Sequence, residues 1–120
     1  MTTKAFSTTA ILVTADGLGQ GGHDDRALRH KLTVSYFRTL LETEALPQAV
    51  LFYTAGVKLL TEESPCLAEL KELVAAGVPL IACRTCLDFY GLMDKVVVGE
   101  IGNMLRIVEE QAKAAKVITV

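Results

Sequence analysis

Runs of apolar residues alternate along this chain with stretches where apolar positions recur every three or four residues. Ala10–Thr14 reads A-I-L-V-T, a short continuous run rich in β-branched residues, which is how a strand buried on both faces reads. Ala49–Tyr53 (A-V-L-F-Y) and Val78–Ala82 (V-P-L-I-A) have the same character, with Pro79 tolerated near a strand start because it lacks a donor. Lys95–Val98 and Lys116–Val120 predict a fourth and a fifth strand. Between them the period changes. From Asp24 or Asp25 to about Thr43, Leu28, Leu32, Tyr36 and Leu40 fall four apart with Phe37 and Leu41 beside them, predicting a helix with a wide apolar face. Ser64 and Pro65 open a second helix as a capping hydroxyl followed by proline; Leu67, Leu70, Leu73 and Val74 form its face, and Gly77 closes it. A last helix presents Ile101, Met104, Leu105, Val108 and Ala112. Thr54–Glu63 is left as loop or loop plus a short turn, and Cys83–Met93 as an irregular stretch holding one helical turn.

Strands alternating with amphipathic helices imply parallel β-α-β units with helices on both faces of one sheet. In open sheets of that kind, ligands sit outside the carboxyl ends of the strands. Three segments qualify: Asp16–Asp25, Thr54–Glu63 and Cys83–Met93.

Composition narrows the picture. The 120 residues are 51% apolar and 22% charged, as in one ordinary globular domain spanning 1–120. A net charge of −2 and the absence of tryptophan argue against a nucleic-acid binder. No apolar run approaches the ~18 residues of a membrane span, and Met1–Thr9 lacks the order of a signal peptide. The expectation is a soluble, cytoplasmic protein. Three cysteines, Cys66, Cys83 and Cys86, are an odd number for a disulfide framework, which leaves redox, metal or sulfur chemistry.

Cys83-Arg84-Thr85-Cys86 follows a buried strand directly. Arg84 and the backbone N–H groups of a following helical turn favour the thiolate, the nucleophilic form. Two cysteines three apart can also close a disulfide, or pack as small inert hydrophobes. A structural zinc site needs four ligands, and Cys66, His23 and His30 supply no second pair at ligand spacing. Gly17-Leu18-Gly19-Gln20-Gly21-Gly22 contains G-x-G-x-x-G between a strand and a helix. Against a dinucleotide stand the acids around it, Asp16, Asp24 and Asp25, and the lack of an acid after Tyr53 to hold a ribose. His23 at the loop edge can exchange protons near a thiol or, like His30, be a solvated polar residue; Lys58 can supply charge to an anionic sulfur or be an ordinary surface lysine; Cys66 reads as packing.

The run Cys83-Arg84-Thr85-Cys86-Leu87-Asp88-Phe89-Tyr90-Gly91-Leu92 resembles the C-G-T-C-L-D-Y-Y-G-L signature of the DsrE-like domain in the YedF group of sulfurtransferase-like selenium-metabolism proteins. Val13–Gly19, Phe52–Leu59 and Val98–Met104 agree in order. More distantly the chain resembles DsrE and TusD sulfur-relay subunits, whose persulfide-carrying cysteine sits after the third strand, eight residues before a glycine, as Cys83 sits before Gly91. The resemblance implies a three-layer α/β/α sandwich with a largely parallel five-stranded sheet. It implies a sulfur or selenium carrier or transferase, with a persulfide on Cys83 and Cys86 as resolving thiol. Arg84, Thr85, Asp16, Gly56 and Lys58 would line the substrate, with no organic cofactor and no metal.

Arg84 departs from the signature's glycine, and Thr54-Ala55-Gly56 from an Asn-Ser-Gly-type turn. The sulfur-carrier domain that precedes the YedF domain is not in this sequence, so the expected donor or acceptor is a separate, TusA-like chain. Two other readings stay open: an oligomeric assembly module with inert cysteines, and a thiol–disulfide redox protein. Of the thiols, Cys83 is expected to be the most reactive. The apolar surplus and the resemblance together predict a homo-oligomer, a trimer or hexamer, with Met104, Leu105 and Gly56–Leu60 at the contacts.

Overall fold

The computed structural model describes residues 8–19, 23–43 and 46–120, without the side chain of His23. Five strands form one sheet: β1 (Thr9–Val13), β2 (Ala49–Phe52), β3 (Leu80–Cys83), β4 (Glu100–Gly102) and β5 (Lys116–Thr119). Their order is β4-β3-β2-β1-β5, and every pairing is parallel. The helices are α1 (Arg26–Thr43), α2 (Leu67–Ala75), α3 (Arg84–Tyr90) and α4 (Met104–Lys113), with 3-10 turns at His23–Asp25 and Thr54–Leu60.

β1, β2 and β3 are buried at every position, as their apolar runs require. The chain steps outward from β1 to β4 and returns across the sheet to β5. Right-handed crossovers then put α1 and α2 on one face and α4 on the other. α1 and α2 pack together, and Arg38 of α1 clamps Glu72 (2.6 Å) and Glu69 (3.1 Å) of α2. On the other side, Gln48 ahead of β2 donates to the backbone and side chain of Glu110 in α4, both at 3.2 Å. No helix among the described residues is long and apolar enough to cross a membrane.

Four local expectations are corrected. The fourth strand is Glu100–Gly102, not Lys95–Val98. Val96 instead makes a single antiparallel bridge to Thr61, Val97 donates to the Leu60 carbonyl at 2.9 Å, and Gly99 turns the chain with φ +83°. Ile101 thus belongs to β4, and α4 turns Ile107 and Glu110 inward while Met104, Leu105, Val108 and Ala112 face outward. In α1 the buried side chains are Thr33, Phe37 and Leu40, and Leu28 and Leu32 are exposed. The Gly56–Leu60 segment, expected as a contact surface, is core: Val57, Leu59 and Leu60 are buried within the 3-10 turn.

Cys83–Met93 is more ordered than one turn. α3 runs seven residues and ends where Gly91 takes a left-handed φ of +69°, with the Leu92 N–H returning to the Leu87 carbonyl at 2.8 Å.

Candidate functional site

The carboxyl ends of β1, β2 and β3 are adjacent in the sheet and deliver three segments to one edge. Cys83 is the last residue of β3 and is 1% exposed. Cys86 lies in the first turn of α3, half-buried. After β2 the chain turns sharply at Thr54, whose φ of +49° is the left-handed region. Thr54 donates its hydroxyl to the Thr14 carbonyl, at the end of β1, across 2.8 Å. Its backbone N–H points the other way and donates to the Sγ of Cys86 at 3.0 Å.

Gly56 explains how these segments come so close. A Cβ there would overlap the Val13 carbonyl oxygen and lie 2.9 Å from its carbon. Gly56 is buried and lets the turn after β2 lie against the end of β1.

Cys86 is held above the ordinary thiol range. Burial pushes it up, the Thr54 N–H pulls it down, and the Cys83 thiol beside it pushes it up again. The activation expected from Arg84 does not outweigh burial; Arg84 and Thr85 are exposed on the first turn of α3. Cys86 thus rests as a thiol at neutral pH. Cys66 is fully buried ahead of α2, 3.4 Å from the Ser64 hydroxyl, and burial raises it to about 11.

Lys58 sits one 3-10 turn beyond Thr54, and its ammonium lies 4.4 Å from the ring centre of Tyr90 at the end of α3. Asp16, just past β1, pairs with Arg29 at 3.2 Å and Arg26 at 3.9 Å. Burial works to raise its carboxyl, and Arg29, Arg26 and Lys58 together bring it below the usual range. Asp16 and Lys58 line one cavity of about 560 Å³ together with Arg26, Arg29, His30 and Glu63. Neither Cys83 nor Cys86 lines it. Sequence reasoning missed Arg26, Arg29 and Glu63, because Arg26 and Arg29 of α1 reach Asp16 and share a cavity with Glu63 only in the folded chain.

Among the described residues no group of three or more His, Cys, Asp and Glu is gathered for a metal ion. Gln20, Gly21 and Gly22 of the glycine-rich loop lie outside the described residues, as does the side chain of His23.

Residues 19–120 match the DsrE/DsrF-like family. No curated protein matches significantly. Three solved structures are similar in fold. The ychN protein from E. coli has a TM-score of 0.64 at 21% identity, covering 93% of this chain and 99% of its own. MTH1491 from Methanobacterium thermoautotrophicum, a protein of unknown function, has a TM-score of 0.67 at 22% identity, covering 93% and 97%. BT1422 from Bacteroides thetaiotaomicron, also of unknown function, has a TM-score of 0.61 at 14% identity, covering 97% and 99%.

Proposed function

From the premise that this chain belongs to the DsrE/DsrF-like family, whose members generally take part in sulfur relay with partner proteins, we propose that it carries sulfur as a persulfide on the Cys83–Cys86 pair. The observation that carries this reading is the Thr54 N–H aimed at the Cys86 sulfur. An amide donor fixed there stabilises negative charge on that sulfur as it develops, and does so without reorganising.

The two thiols divide the work by exposure. Cys86, half-exposed, is the port where sulfur arrives and departs; Cys83, buried behind it, is the store. With sulfur on Cys86 as Cys86–S–SH, the Cys83 thiolate attacks the outer sulfur. A Cys83–S–SH persulfide forms, and the Cys86 thiolate leaves. Cys86 then releases the store in one of two ways: it takes the outer sulfur back and an acceptor thiolate attacks that sulfur as the Cys86 thiolate leaves, or it attacks the Cys83 Sγ, which closes a Cys83–Cys86 disulfide and expels hydrosulfide. Selenium would follow the same steps. A TusA-like chain fits as the protein that delivers or collects the sulfur.

Intact-mass analysis after exposure to inorganic polysulfide tests the proposal. The expected result is a gain of about 32 Da, one sulfur atom, mapped to Cys83 or Cys86 and lost in the double Cys83→Ser, Cys86→Ser variant. A loss of about 2 Da with no sulfur adduct would make the pair a thiol–disulfide couple instead. No change would leave the cysteines inert.

A further inference from the structure

The turn Thr54–Leu60 and helix α3 pack side by side in matched steps. Thr54 meets Cys86, and four residues further along each segment Lys58 meets Tyr90. In α3, Cys86 and Tyr90 are four apart and share a helix face. Tyr90 also lines the 560 Å³ cavity, so that cavity opens one helical turn, about 6 Å, beyond the port thiol.

The cavity is built for charge. Arg26, Arg29 and Lys58 outnumber Asp16 and Glu63. The single Asp16 carboxylate is shared between Arg26 and Arg29, while Lys58 lies over the face of the Tyr90 ring and bears on Asp16 through space. Arg29 holds a second clue. Its Nε is buried and finds no hydrogen-bond partner among the described residues. An anion in the cavity adds an acceptor for the Arg29 guanidinium, whose Nη1 is held by Asp16. The volume lies within the ~300–1,000 Å³ of small-molecule sites. Leu59, Pro65 and Leu92 give it an apolar wall, and Glu63 offers an acceptor for an ammonium group.

We propose that this cavity binds a low-molecular-weight, amino-acid-derived thiol with a net negative charge, and that the persulfide of that thiol loads Cys86. Carboxylates of the ligand meet Arg26, Arg29 and Lys58, and its ammonium meets Glu63. A three-residue peptide spans about 10 Å when extended, enough to seat its tail in the cavity and bring its sulfur to Cys86. The Cys86 sulfur attacks the outer sulfur of R–S–SH. A bond forms between them, the S–S bond of the donor breaks, and the thiol R–SH leaves with the proton Cys86 gives up. No oxidant or reductant is consumed. The inference rests on the Cys83–Cys86 pair being a sulfur carrier.

Glutathione is the probe, and isothermal titration on the full chain is the first measurement. Reduced glutathione is expected to bind, and to bind just as well in Cys86→Ser, because charge rather than sulfur anchors it. Lys58→Gln and Arg26→Gln are expected to weaken binding about fivefold each, the scale of one partly exposed charge pair. Arg26 is 58% exposed, so its replacement leaves the fold intact. Glutathione persulfide should add about 32 Da to Cys86, several-fold more slowly in Lys58→Gln. Absence of binding, or equal binding in both charge variants, overturns the inference. If polysulfide still persulfidates the pair in that case, the sulfur-carrier reading stands without the ligand; if polysulfide labels neither cysteine, that reading falls as well.

Discussion

Thr54 donates its backbone N–H to the Cys86 sulfur from a left-handed conformation, at φ +49° and 3.0 Å. A β-branched residue in that region is strained. The strain is held by the hydroxyl bond to Thr14 and by the close approach of Gly56 to Val13.

Comparing two substitutions at this position measures that strain. Thr54→Ala removes the hydroxyl bond and keeps the left-handed cost. Thr54→Gly also removes the bond but relieves the backbone. The glycine variant is expected to be more stable than the alanine variant by about 1–2 kcal/mol in urea unfolding. Equal stabilities would mean that the turn stores no strain. Alkylation of Cys86 should persist in both, since its donor is backbone.

Gly56→Ala is expected to destabilise far more, by about 3 kcal/mol or more. Its Cβ meets backbone rather than a movable side chain. Thermal melting followed by circular dichroism reads the loss. A melting temperature near that of the parent would show that the ends of β1 and β2 can separate cheaply.

Cys66 makes stability depend on pH in the alkaline range. Its folded pKa is about 11 against an ordinary 9.0. Between those values the unfolded chain loses this proton and the folded chain keeps it, so stability falls as pH rises. The contribution is complete below the lower value and gone above the upper one. The expected loss is about 2–3 kcal/mol, and Cys66→Ala should flatten the curve between pH 9 and 11. An unchanged slope in that variant would assign the loss to another group. Cys66 should also alkylate last of the three thiols near neutral pH. Exposure places Cys86 ahead of Cys83, the reverse of the order expected from the signature alone.

The outward face of α4 bears on assembly. Met104, Leu105 and Val108 are 48%, 63% and 49% exposed along one helix. Light scattering coupled to size exclusion is expected to give a multiple of the 12.9 kDa chain mass, three or six copies, with Leu105→Lys shifting it toward one. A parent mass of one chain would refute the homo-oligomer.

How much was legible depended on what each residue answers to. β1, β2, β3 and β5 were placed within two residues: the first three because strands buried on both faces leave continuous apolar runs, and β5 from the short run Val117–Val120 after α4 although it is largely exposed. β4 was not, because an edge strand need not be apolar: Glu100–Gly102 is exposed to half-buried, while Val98 carries the burial. The inward and outward faces of α1 and α4 were misjudged for a related reason. Periodicity reports an apolar stripe but not which side meets the sheet; Thr33, bonded to the Leu18 N–H at 2.9 Å, sits inside while Leu32 sits out. At the site, the cysteine pair was legible from its strand junction. The Thr54 contact was not, since it joins residues 32 apart through a left-handed turn that a threonine gives no reason to expect.

The return of the chain to β1 sets the order in which this sheet is completed. Ala10 pairs with Ala49 on one side and Val117 on the other. Contacts this distant in sequence form slowly. Until β5 arrives, the fully apolar run Ala10–Val13 is an open edge, able to recruit a strand from another chain. The largely exposed β5, with Lys116 and Thr119 among its four residues, is then a seal on that edge as much as a strand of the sheet. During folding, aggregation competes for β1 until its last partner docks.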